Sequence, residues 1–98
     1  MSRTATFQNN ALPEVDLGAL SAELEELRQA VAQRAEGAEQ QEQLGLVASA
    51  TIAAMKGDRD KVASTLANMS KWTLSVAEKL GVGVATKLIT QILDRTRA

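Results

Sequence analysis

The chain has 98 residues, which suits a single domain. Apolar residues make up 45% of it, but 17 residues are alanine, so the larger side chains available for a core are few and a partner's surface becomes a natural supplement. The net charge is −1, and there is no cysteine, histidine or tyrosine, which excludes disulfides, thiolate metal sites, cysteine nucleophiles and the commonest general base.

Charge is unevenly placed: residues 1–57 carry four basic and eight acidic groups, and residues 58–98 carry seven basic and four acidic groups. Two helical surfaces that complement each other, within one bundle or across a dimer, account for that asymmetry. A pI near 5.4 argues against nucleic acid as the partner.

The opening MSRTATFQNN has no apolar stretch of the secretory kind, and no apolar run reaches the roughly 18 residues that span a bilayer. The chain is accordingly expected in the cytoplasm. Residues 1–13 are polar and end at Pro13; they read as a flexible arm ahead of a single helical domain, residues 14–98.

The first helix is predicted to start after Asp16, whose carboxylate suits an N-cap, with Val15 and Leu20 as a hydrophobic staple. Leu17, Leu20, Leu24, Leu27 and Val31 follow at spacings of 3, 4, 3 and 4, a coiled-coil-like seam on an otherwise charged helix. Arg34 takes the next seam position, and Gly37 is the expected stop. A narrow seam of this kind predicts a helix with one or two neighbours.

A second helix is expected over about 38–56. Its first turns are polar, and Leu44 to Met55 contains no charge. Small residues dominate that run, which predicts a centrally buried helix approached closely by its neighbours. Lys56-Gly57-Asp58 is the clearest punctuation in the chain: a left-handed C-terminal glycine followed by the cap of the next helix.

The third helix is predicted from about Arg59 to Leu80, with Val62, Leu66, Met69, Thr73, Val76 and Leu80 on one stripe and Trp72 beside it as a packing residue. Gly81 and Gly83 mark an expected hinge before a short amphipathic helix that carries Val82, Ala85, Ile89 and Ile92. No strand or GK[ST] accompanies these glycines, so they form no phosphate loop.

Without histidine, a serine nucleophile would need a lysine base, and no S-x-x-K motif occurs. Glu23 and Glu26 share a helix face, yet a pair of this kind on a surface helix is ordinarily solvated. Asp58 and Asp60 lack the remaining ligands of a calcium loop. Neither catalysis, a metal nor a cofactor is expected.

Residues 54–85 combine an alanine-rich helix, Gly57-Asp58, Trp72 and the run Val76-Ala77-Glu78-Lys79-Leu80-Gly81-Val82-Gly83-Val84-Ala85. This third of the chain resembles an uncharacterised helical module of bacterial proteins, some of them defence-associated. The resemblance implies a bacterial intracellular setting and an interaction role.

The expected architecture is all-α: a small antiparallel bundle of three main helices plus a short C-terminal one. The expected function is protein–protein interaction, as an oligomerisation or adaptor module. The expected partner is a second copy, in a homodimer, with another protein as a further possibility. Leu17, Leu20, Leu24, Leu27, Val31 and Trp72 are the candidate interface. Two alternatives remain: a membrane-active effector using the C-terminal amphipathic segment, and a nucleic-acid-binding helical protein, whose affinity would fall steeply with salt.

Overall fold

The computed structural model describes residues 15–97, with side chains as far as Asp94. The expected N-terminal arm, residues 1–13, lies outside the described residues. The described chain is all helical, in five elements: α1 (Leu17–Arg34), α2 (Ala38–Lys56), α3 (Arg59–Leu66), α4 (Lys71–Leu80) and α5 (Gly83–Arg97).

The helix ends are built from local chemistry. Asp16 stays extended and accepts from the backbone N–H of Gly18 at 2.9 Å and of Ala19 at 3.4 Å, satisfying donors that have no partner inside α1. Arg34 returns a guanidinium N–H to the Ala30 carbonyl at the other end. Gly37, with φ +109°, begins α2 instead of merely ending α1. Its neighbour Glu36 donates its backbone N–H to the Gln40 side chain at 2.8 Å. Gly57 (φ +77°) closes α2, with the Asp58 N–H reaching back to the Ala53 carbonyl at 2.9 Å, and Asp58 then caps α3 by accepting from Lys61.

The expected third helix is in fact two. The stripe is buried through Val62, Leu66, Met69, Thr73 and Val76, but its last predicted member, Leu80, is exposed at the end of α4, and the backbone leaves the helix between Leu66 and Lys71. The N–H groups of Asn68 and Met69 turn to the carbonyls of Thr65 and Leu66, three residues back, which tightens the last turn and stops it. Asn68 adds a side-chain bond to the Ser64 carbonyl. Ser70 then restarts the chain as the N-cap of α4, its hydroxyl accepting from the Thr73 N–H. A second break follows at Gly81 (φ +86°), and α5 begins at Gly83.

The packing reverses the expected roles of the first two helices. Leu20, Leu24, Leu27 and Val31 of α1 are fully buried, and α1 packs against α2, α4 and α5. α2 packs chiefly on α1 and α3. It buries Val47, Ala50, Thr51, Ala53 and Ala54 and leaves its opposite face open, so it is not the central helix. The physical reason is volume. A ridge of leucines fills the space among three neighbours, and each buried leucine contributes roughly 1.5–3 kcal/mol. Alanine-sized side chains let α2 lie close on α1 but cannot fill a space between several helices. Val62 and Leu66 of α3, Val76 and Ala77 of α4, and Ala85, Leu88, Ile89 and Ile92 of α5 complete one core.

Candidate functional site

The seam residues predicted as an interface lie inside the chain. Leu20, Leu24, Leu27 and Val31 each have 0% exposure. Leu17 and Trp72 are half-buried and pack against the core. In this fold the seam is intrachain core, and a partner reaches it only if the helices separate. The correction follows from α4 and α5, which the break at Asn68–Ser70 frees to fold over α1. A single straight third helix could not have covered it from two directions.

Several polar groups of the kind a reactive centre uses serve the fold instead. The Glu23 carboxylate accepts from the Ala85 N–H at 2.8 Å, so α1 supplies an acceptor to the first turn of α5. The Gln43 side-chain oxygen accepts from the Ser70 N–H at 2.8 Å and from the Thr73 hydroxyl, fixing the start of α4 from α2. Glu25 pairs with Arg28, whose Nε–H donates at 2.9 Å, and with Gln29. These hydrogen bonds, Arg28's first, hold the Glu25 carboxyl at about 2, below its usual value. Among the described residues no three acidic side chains gather in a metal-binding arrangement.

Gly81 and Gly83, the predicted hinge, stand at the α4–α5 break. Gly81 holds the left-handed conformation that closes α4, and its following residue, Val82, donates its N–H back to the Ala77 carbonyl. The apolar side of α5 faces inward through Ala85, Leu88, Ile89 and Ile92, and Val82 just ahead of it is buried too. Lipid contact by that side would therefore require α5 to leave the core. No described helix is long and apolar enough to cross a membrane.

The surface that stands out is the outer face of α2. At 3.6 residues per turn, Glu42, Gly45, Ser49, Ile52 and Lys56 fall on one line, opposite Val47, Ala50, Thr51 and Ala54. All five are exposed. Ile52 is 54% exposed, and Met55, on the flank of the same line, is 72% exposed; they are the two most exposed large apolar side chains among the described residues. Two open grooves run along the α3 side of this line and meet at Ser49. One, of about 280 Å³, is lined by Ser49, Ile52, Ala53, Lys56, Asp58 and Lys61. The other, of about 520 Å³, is bordered by Glu42, Gly45, Leu46 and Asn68. The face is thus uncharged in the middle, basic at the C-terminal end of α2 and acidic toward its N-terminal end.

Sequence reasoning passed over Ile52 and Met55 because an uncharged run of helix reads as buried on all sides. The signal available was the framing of that run: Glu42 and Lys56 sit seven residues either side of Ser49, on the same line as Gly45 and Ile52. No family model matches the chain, and no curated protein or solved structure shows significant similarity to it.

Proposed function

We propose that this chain is a non-enzymatic protein–protein interaction module that docks its partner on the outer face of α2. One observation carries the reading: a folded chain short of large apolar side chains leaves Ile52 and Met55 in solvent, Ile52 on an uncharged strip bordered by grooves and Met55 on its flank. Exposed apolar groups that adjoin one another and are rimmed by charge are the usual mark of a docking surface. The polar side chains support the same reading, because Glu23, Gln43 and Glu25 are engaged in caps and pairs within the chain. The resemblance of residues 54–85 to a bacterial helical module agrees with an interaction role in the bacterial cytoplasm. In this proposal the helices act as a small antiparallel bundle that holds α2 at its edge.

The test places a photo-reactive phenylalanine analogue at Ile52 and, as a control, at the exposed Glu78 of α4. Irradiation in cells is expected to give a defined protein adduct from position 52 and none from position 78. Equal labelling at the two positions, or none at position 52, ends the reading.

A further inference from the structure

We infer that the partner on the α2 face is a second copy of this chain, docked antiparallel about a two-fold axis at Ser49. The inference rests on the proposal that this face binds protein, and it adds the identity of the partner and the register.

The first argument is charge. A two-fold axis through Ser49 sets each residue of α2 opposite the residue equally far on the other side of Ser49. Glu42 and Lys56 are each seven residues away, about 10.5 Å along the helix at 1.5 Å per residue. Glu42 of each copy therefore meets Lys56 of the other, at both ends of the contact. Both side chains are exposed and available. A parallel pairing would instead set Glu42 on Glu42 and Lys56 on Lys56, with like charges opposed at both ends. A helix dipole also favours acid near its N-terminus and base near its C-terminus, but it does not require an uncharged, exposed strip between them.

The second argument is shape. The same axis pairs Ile52, three residues beyond Ser49, with Leu46 of the other copy, and so sets this projecting side chain one residue, about 1.5 Å along the helix, from Gly45. No contact within its own chain calls for a glycine at position 45. Its backbone is ordinary right-handed helix, and a Cβ added there would meet nothing within 4 Å. A glycine inside a helix weakens it relative to alanine, and at this position no intrachain contact compensates. An isoleucine one residue away along the partner helix gives the missing side chain a use: the gap at Gly45 is room beside the Ile52 knob, twice over by symmetry. The open groove beside Gly45 and Leu46 supplies the room.

One pair of helices buries less than the roughly 1,200 Å² of a stable complex, so the dimer belongs in the micromolar range. The experiment is sedimentation equilibrium on the full chain up to about 500 µM, a range chosen for micromolar binding. Wild type is expected to be a dimer at the upper end. Glu42→Lys alone, or Lys56→Glu alone, turns two attractions into two repulsions and should weaken self-association about tenfold. Mixing the two single variants restores opposite charges at both ends, so the heterodimer should form with the wild-type affinity. Gly45→Gln should abolish the dimer while raising the thermal midpoint of the dilute monomer. Far-ultraviolet dichroism verifies that each variant is folded.

A chain that stays monomeric throughout overturns the inference, as does a dimer insensitive to both charge reversals or one that the mixture fails to restore. An adduct from position 52 to a different protein would also overturn it while leaving the docking face intact. The absence of any adduct would remove both.

Discussion

Leu24 and Thr86 show how differently two core-facing residues bear on the fold. Leu24 is fully buried in the middle of the α1 ridge. Leu24→Ala is expected to cost about 2–5 kcal/mol in urea unfolding, from lost burial and the cavity left behind. Because the ridge is intrachain core, that loss should be the same at low and high protein concentration. Thr86 carries a buried hydroxyl with no hydrogen-bond partner among the described residues. Its desolvation is uncompensated, so Thr86→Val should raise stability by about 1 kcal/mol in the same assay. A loss of stability in Thr86→Val would mean that the hydroxyl has an acceptor after all. Neither property was fully legible in the residues. The spacing of Leu24 marks it as apolar seam, but seam residues read the same whether the covering helix belongs to the same chain or to another. Nothing near Thr86 in sequence says whether its hydroxyl meets water.

The elements are bounded by short polar signals, most of them readable. Asp16, Gly57-Asp58 and Gly81 act where the sequence places them, because a cap needs only its own turn. The break between α3 and α4 escaped because Met69 and Thr73 keep helical spacing through it, and both are buried. Ser70 alone is a weak stop signal. It becomes decisive with Gln43, which sits 27 residues away in sequence and accepts from the Ser70 N–H and the Thr73 hydroxyl. Gln43→Ala leaves both donors without that acceptor, and an unsatisfied buried donor costs about 1–3 kcal/mol. The expected result is faster hydrogen exchange at the Ser70 and Thr73 amides with α1 unaffected. Uniformly faster exchange in every helix would show that Gln43 supports the whole fold and not the start of α4. The Glu23 contact to Ala85 is of the same kind: one helix supplying the acceptor that another helix lacks.

For the molecule as a whole, composition sets the response to pH. No histidine is present, so no side chain ordinarily changes charge between pH 5 and 8, and stability should be flat there. The acid side is tied to Glu25. Its carboxyl titrates at about 2 in the folded chain against an ordinary 4.5, because Arg28 and Gln29 donate hydrogen bonds to the charged form. A lowered folded-state pKa means that the stabilisation is complete above about 4.5 and is lost as pH falls from there through about 2. The pair is exposed to solvent, so salt screens it and the effect is small. Thermal midpoints of wild type and Glu25→Gln should differ slightly at pH 7 and converge toward pH 2, with the pH 7 difference shrinking in high salt. A gap that persists at pH 2 would assign the effect to something other than this charge.

The sequence by itself determined that the described residues are helical, where α1 and α2 begin and where α2 ends, and which residues are apolar enough to enter a core. It could do so because caps, left-handed glycines and 3/4 spacing act within one or two turns. Tertiary structure decided which helix is surrounded. The leucines of α1 have the volume to fill a space among three neighbours, whereas the small side chains of α2 fit closely against one side only. That choice closed the predicted interface and opened another. Exposure depends on what covers a face, and α4 and α5 cover α1 while leaving Ile52 and Met55 in water.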